Sequence, residues 1–493
     1  MVTVRYFSHP HHREVFSRAF CVTNPRPLCA KPLFCGFCAY VTGHGVNSND
    51  SSALAFLTRW ARPWTAAANE DRNMRRSNDF ALFTISGVPY LLPFGQGIAD
   101  LRRGIQVNDT GAYLWGLLDR ERTEDEMLSL YASHYEVPES RLPELKADLQ
   151  QFLSMLDAFG MLDRSGAHAD SHSISVSDAA PACDTSGAPA GDHRFLSQNQ
   201  NGTDTVHRYL SVGGLTLLLR GPENAFSREF DAFEIFPDPA VPVDQTVTVS
   251  LQAPTEYAAG RVLLKNPELT VMENSTQYVF RFPNAPGIRQ VCLTKDGAKA
   301  CHYCCPPFTE SFRQDLFHAI RLSFLYLAQL HGMIVLHSAS LLYRDRAWLF
   351  SGHSGAGKST HTNLWKEHCH VPLINGDLNL LSMENGRPMV HGLPWCGTSG
   401  IVDTHSYPLG GILLIKKATH DHIVSLDDSH AQLFVSQRLI SPAWTEALLQ
   451  KNLHLVEALA PHILICRLYC TKTPKAVEAA KQAIDAYLAD RLP

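Results

Sequence analysis

Apolar and polar positions change their period several times along the chain, and each change marks a part. Residues 1–73 show no sustained repeat of 2 or 3.6 and are expected to be a disordered extension. Short apolar runs at 79–85 and 89–92 flank Ser86 and Gly87, a hairpin signal. Helical spacing follows. Over 110–118, Tyr113, Leu114, Leu117 and Leu118 share one face. Thr123 precedes Glu124, Asp125 and Glu126, a capped start whose acidic first turn suits the helix dipole. Met127, Leu130 and Tyr131 are expected on the inner face of that helix. Over 143–159, Leu145, Leu149, Phe152, Leu153 and Leu156 recur at helical spacing, and Gly160 is the expected stop. Residues 78–163 therefore read as a small α+β domain.

Residues 164–204 are rich in Ser, Ala, Asp and Gly and poor in large apolar residues, which predicts a flexible linker. Residues 205–310 alternate short β-like runs, such as 208–212, 215–219, 246–251 and 277–282, with turn residues, and predict an antiparallel sheet. An amphipathic helix is expected over 312–330, with Phe312, Leu316, Ile320, Phe324 and Leu327 on its buried face. Strands followed by helices fill the rest of 311–493. Thr473 and Pro474 open a last helix that buries Val477, Ala480, Ile484 and Tyr487. The chain as a whole reads as multidomain, α+β followed by α/β with a mixed sheet.

Composition narrows the function. The chain has 493 residues, 45% hydrophobic and 18% charged, with a formal net charge of -5. Such a balance gives no broad attraction to nucleic acid or to an anionic membrane. The start of the chain lacks the apolar core of a signal peptide, and the apolar stretch 323–343 is broken by Gln329, His331 and His337. The thirteen cysteines are scattered rather than dense, so a cytoplasmic location is expected. Cys35 and Cys38 form one C-x-x-C pair, and Cys301, Cys304 and Cys305 a second cluster. Each lacks a partner pair at zinc spacing, and cysteines within a sheet are the simpler expectation for the second.

The densest chemistry lies at 347–360. The apolar run 347–350 leads into Gly352, His353, Ser354, Gly355, Ala356, Gly357, Lys358, Ser359 and Thr360, and a helical stretch follows. This matches G-x-x-x-x-G-K-[ST] between strand and helix. Glycines let the backbone curl so that several N–H groups face one anion, and the helix start adds favourable dipole. Lys358 supplies charge for the β- and γ-phosphates, and the Ser359 hydroxyl can ligate Mg²⁺. The run 340–343 is separated from 347 by Arg344, Asp345 and Arg346 alone. A parallel crossover needs about a dozen residues or more, so these two strands are expected to form an antiparallel hairpin.

His337, that hairpin, the glycine loop and the string Ile374, Asn375, Gly376, Asp377 together resemble HPr kinase/phosphorylase and its relatives, which share a core with ATP-dependent phosphoenolpyruvate carboxykinase. The resemblance is specific over about 335–400. It implies a kinase using ATP and Mg²⁺, with His337, Lys358 and Asp377 in catalysis and with Gly352, Ser354 to Thr360 on the phosphates. Ser359 and Asp377 would hold the metal. It also implies frequent oligomerisation. The sequence departs from the family in three ways. The family's acidic pair is here Gly376 and Asp377, its acidic loop residue is His353, and residues 392–400 replace its protein-recognition signature. HPr is therefore not the expected acceptor, and phosphorylase activity is not carried over. Residues 397–400 offer a second anion-binding turn or a plain surface loop. Lys416, Lys417 and Arg438 could clamp phosphates, with solvated surface charge as the simpler expectation.

Residues 78–163 resemble the PqqD family. The resemblance rests on Val107 to Leu118, on Arg122 to Met127, and on a closing helix that ends at Phe159 to Leu162. It implies a winged-helix-like module that binds the leader of a ribosomally made precursor peptide as an added strand, with 81–85 as a candidate edge. Asn108, Tyr113 and Trp115 are expected as core or capping groups. Two functions follow. One is an ATP-dependent kinase acting on a Ser or Thr of the captured peptide. The other is a nucleotide-binding peptide chaperone or switch without phosphotransfer. Carboxykinase chemistry would need an oxaloacetate site that the sequence does not display.

Overall fold

The computed structural model describes residues 73–164 and 205–490, apart from 253, 255–257 and 259. The Cys35 and Cys38 pair, most of the expected extension and the expected linker lie outside the described residues. Chain contacts divide the molecule into two units, one holding 73–164 and the other 205–490.

The first unit comprises β1 (Met74–Arg76), β2 (Phe80–Ile85), β3 (Val88–Pro93), α1 (Gln96–Ala99), β4 (Ile105–Gln106), α2 (Asp109–Leu117), α3 (Glu124–His134), α4 (Leu142–Ala158) and β5 (Leu162–Arg164). The hairpin turn has positive φ at both Ser86 and Gly87, so it twists as its strands do. Thr123 accepts from the Glu126 amide, while the Glu126 carboxylate accepts from the Thr123 amide, a complete capping box. Gly160, at φ 66, ends α4 with its own N–H on Asp157 and that of Met161 on Leu156. The three long helices enclose Leu114, Trp115, Met127, Leu149, Phe152 and Leu156. Tyr113 and Leu117 are half-buried and pack against this core. One inward expectation fails: Leu130 is 38% exposed, while Met127 and Tyr131 of the same helix are buried. Asn108 caps α2 by accepting from the Gly111 amide at 2.9 Å. Trp115 is buried with the Arg76 guanidinium over its ring, and Tyr113 stacks on His134.

The second unit opens with β6 (Thr205–Val212), β7 (Leu215–Pro222), β8 (Glu234–Ile235), β9 (Gln245–Ser250), β10 (Arg261–Lys265), β11 (Thr270–Glu273), β12 (Gln277–Arg281), β13 (Ile288–Thr294) and β14 (Lys299–Cys304). They form a nine-stranded sheet in the order β10-β11-β12-β13-β14-β9-β7-β6-β8. The expectation of a purely antiparallel sheet is corrected: β9 lies parallel to both β14 and β7. It enters between two hairpin-built halves, and short-range alternation along a strand carries no record of that insertion.

Helix α5 (Glu310–Leu330) is the second correction. It packs against β9 and β13 of this sheet and against the next sheet, and it is buried on nearly every side from Leu316 to Gln329. It is a central helix, not an amphipathic one. Its Gln329 amide satisfies the carbonyls of Pro442 and Leu448 and the Asn452 side chain.

The chain continues through β15 (Ile334–Tyr343), β16 (Arg346–Ser351), α6 (Lys358–Cys369), β17 (Leu373–Asn375), β18 (Leu378–Glu384), β19 (Arg387–His391), β20 (Ser406–Lys417), β21 (His422–Ser425), α7 (Asp428–Ser436), α8 (Glu446–Leu459), β22 (Leu464–Cys470) and α9 (Pro474–Ala489). The eight strands form one mixed sheet, β16-β15-β18-β19-β20-β22-β21, with β17 beside β15. β15 and β16 form the expected antiparallel hairpin, with Arg344 and Asp345 both at positive φ in the turn. On its other flank β16 runs parallel to β20, and β20 parallel to β22. Helix α9 buries Val477, Ala480 and Ile484, while Tyr487 is half-buried. Among the described residues no helix is long and apolar enough to cross a membrane.

Gly410 sits where β20 passes under Trp348 of β16, and an added Cβ would lie 2.6 Å from the indole. Gly410→Ala should lower stability by about 1–3 kcal/mol, read by chemical or thermal denaturation, because the buried indole has no room to yield.

Candidate active site

The loop after β16 curls as its glycines require: Gly355 and Gly357 have φ of 74 and 105. Gly357 is the N-cap of α6 and offers no side chain to that helix's first amides. They therefore face outward as donors. Lys358 is 9% exposed and reaches back so that Nζ donates to the Gly352 carbonyl at 3.3 Å. Ser354, Gly355, Gly357, Lys358, Ser359 and Thr360 line a pocket of about 340 Å³. Gly352 and Ala356 do not. The Ala356 amide is held by the His353 carbonyl at 3.0 Å, and its side chain packs with the apolar core behind the loop. These two shape the loop from the rear.

Asp377 and His337 line the same pocket, 3.2 Å apart between Oδ1 and Nε2. Asn375 sets the carboxylate in place. Its side-chain oxygen accepts from the amides of Asp377 at 2.9 Å and Leu378 at 3.1 Å, folding the chain through a tight turn. The Asp377 carbonyl accepts from the Ser338 amide, next to His337 on β15. A buried network extends from there: Ser340 donates to Asn379, and Asn379 to the Ser338 carbonyl and hydroxyl. Burial pushes the Asp377 carboxyl up. The His337 hydrogen bond and the charges of His337, Arg321 and Lys358 outweigh it and hold the group below the usual carboxylate range.

Other cations converge. Lys417 is exposed, as expected of a surface charge, and also lines the pocket at the end of β20, while Lys472 lines it from the segment after β22. Strand alternation sends Lys416 the other way, over the Tyr469 ring. Arg438 is neither a pocket residue nor a surface charge. It is buried, with Nη2 2.8 Å from His353 Nε2, and its carbonyl accepts from the His337 amide. It braces the loop against β15. Thr471 and Thr473, on either side of Lys472, border a further polar cavity of about 460 Å³ with Thr419 and Asp421.

Sequence reasoning missed Lys472, Arg321 and His318. The last two lie one turn apart on buried α5; the Arg321 charge lowers the Asp377 carboxyl, and the Asp377 charge acts on His318 in turn. Burial, then the Arg321 charge, drives the His318 imidazole down to about 3, so it is neutral at ordinary pH. A guanidinium one position from the buried-face residue Ile320, at the start of the apolar run 322–328, was the available signal for Arg321. Lys472 had none, since its place depends on the parallel pairing of β20 with β22.

Gly376, beside Asp377, is glycine for a steric reason. A Cβ at Gly376 would collide with Ser399 Oγ and Cβ. The turn Gly397–Ser399 fills that space, with Ser399 Oγ donating to the Cys396 carbonyl at 2.7 Å. Cys396 and Ser399 line the pocket. As for zinc, Cys301 and Cys304 lie on opposite faces of β14, being an odd number of residues apart. Among the described residues no group of three or more His, Cys, Asp or Glu could hold a metal ion.

A family model described as Coenzyme PQQ synthesis protein D (PqqD) matches residues 98–162. No curated protein matches the chain. A solved structure described as the Hpr(Ser) kinase/phosphatase from Coxiella burnetii is similar at 9% identity, over 31% of this chain and 98% of that one, with a TM-score of 0.18. At that score the likeness carries no argument, and the geometry of the site stands by itself.

Two outcomes follow. Gly376→Ala should lower stability more in the parent than in a Ser399→Gly background, and a double-mutant cycle by denaturation measures the difference. The depressed Asp377 contributes stability above its ordinary pKa of about 4, and that contribution is lost as pH falls through its lower folded value. Asp377→Asn should therefore lose less stability than the parent on acidification below about pH 4 in thermal melts.

Proposed function

We propose that the 205–490 unit is a phosphotransferase that transfers the γ-phosphoryl group of ATP to a Ser or Thr hydroxyl. The acceptor is a hydroxyl of a precursor peptide captured by the unit at 73–164. The observation that carries this reading is that the glycine loop, Lys358, His337 and Asp377 all line one pocket. The match of 98–162 to the PqqD model supports the peptide context. Three lysines against one carboxylate suit a polyanion, and outward-facing amides at the start of α6 suit its phosphates. The polar cavity beside Lys472 is the place for the ribose and base.

Magnesium, when bound, would neutralise phosphate oxygens, with Ser359 and Asp377 as its protein ligands. Lys358, Lys417 and Lys472 balance the remaining phosphate charge, and the loop holds the phosphates in line. Asp377, kept ionised by its surroundings, accepts the proton of the acceptor hydroxyl as the new O–P bond forms and the bond to the leaving ADP breaks. His337 orients that carboxylate. One carboxylate serves both roles, because Ser399 fills the place of a second. Both units belong to one chain, which raises the effective concentration of a captured peptide at the second unit.

A nucleotide-dependent peptide switch without phosphotransfer is favoured by one observation, the missing second carboxylate at Gly376. Incubation with γ-labelled ATP and a precursor peptide separates the two readings. Labelled peptide is expected. Lys358→Ala should abolish nucleotide binding in calorimetry. Asp377→Asn should keep binding but lower transfer by about 100-fold or more. Transfer undiminished in Lys358→Ala would remove the kinase reading. Tight nucleotide binding with no transfer would leave the switch.

A further inference from the structure

A second cavity of about 1270 Å³ lies within the 205–490 unit. One wall is β6 at Val206, His207 and Arg208. β8 pairs only with Tyr209 and Leu210, and among the described residues no other strand takes that side of β6. An open strand edge is a template for an added strand. The opposite walls are the short helical turns Glu223–Ala225 and Arg228–Phe233 and the first turn of α5.

The lining is rich in acids. Glu223, Glu229, Asp231, Glu234 and Glu310 face Arg208, Arg228 and Arg313. Arg208 is already held by Asp231 at 2.6 Å and Glu234 at 3.0 Å, and Arg313 by Glu310. Glu223 stands exposed. At the inner end, Glu229 accepts from Gln314 at 3.1 Å and lies close enough to Cys396 to act on its thiol. Beside it the Phe230 ring packs edge-on against Trp395, with centroids 6.1 Å apart. Cys396 lines the phosphate pocket, so the turn at 395–400 stands between groove and pocket.

We propose that this groove holds the acceptor segment of the peptide substrate as an extended strand beside β6, and that the segment carries basic residues around its hydroxyl. The proposal rests on the phosphotransferase reading for its purpose, but peptide binding tests it without nucleotide. Open backbone along β6 calls for an extended chain, and the excess of carboxylates calls for positive charge.

The probe is a fluorescein-labelled peptide alternating lysine and valine around one serine, titrated onto the full-length protein and followed by anisotropy. Two companions replace its lysines by glutamate or methylate alternate backbone amides. The lysine peptide should bind about tenfold more tightly than either, and Glu223→Lys should weaken it by about tenfold while calorimetric ATP binding is unchanged. Equal binding of the lysine and glutamate peptides, indifference to amide methylation, or indifference to Glu223→Lys would each overturn the groove. So would absence of peptide binding from a protein that sediments as a dimer, since a second copy would then hold the edge. Loss of ATP binding in the parent with these peptide effects intact would support the groove and count against the kinase reading.

Discussion

Strand β15 is hydrogen-bonded to three neighbours, and everything in the site depends on its register. Against β16 it pairs Ser338 with Ser351, which sets His337 level with the start of the glycine loop. Against β17 and β18 it pairs Ser340 with Asn375 and His337 with Leu378, which sets His337 beside Asp377. Three cross-links hold this alignment: Ser351 Oγ on the His337 carbonyl, the Ser338 amide on the Asp377 carbonyl, and the His337 amide on the Arg438 carbonyl. A slip of one residue would turn His337 to the other face and bring Leu336 or Ser338 to the carboxylate in its place. The two-residue turn at Arg344 and Asp345 leaves the hairpin little freedom to slip.

Around that alignment the electrostatics are asymmetric. Cations come from four separate elements, while the acidic side is reduced to Asp377. The glycine beside that carboxylate is fixed by packing. The turn at 397–399 lies so close to β17 that only glycine fits at 376, and Gly397 in turn leaves room for the Asp377 side chain. The Ser399 and Asp377 side chains each fill the space that a Cβ at the facing glycine would take.

Local features of the fold were legible because local chemistry specifies them. The capping box at Thr123, the glycine stop at 160, the hairpin turns and the glycine loop with its lysine could all be read from a few adjacent residues. The α5 burial was not, because helical periodicity reports a buried stripe and cannot show that a second sheet covers the opposite side. The two parallel joints of β9 were hidden for the same reason, since strand alternation is blind to which neighbour lies alongside. In the site, His337, Lys358 and Asp377 could be named from their order along the chain. Lys472 meets the pocket through long-range strand pairing, and Arg321 reaches Asp377 electrostatically through helix placement, neither of which single-sequence patterns encode.

The strand path of the second sheet has a further consequence. Because β16 is bonded to β20 as well as to β15, the segment carrying the glycine loop has both flanks occupied. Open edges among the described strands of this unit fall instead at β21 and beside β17, and at the two ends of the nine-stranded sheet, at β10 and at β8 with the uncovered part of β6. Self-recruitment through backbone pairing, the first step of runaway fibre growth, is thereby kept off the strand that carries the glycine loop.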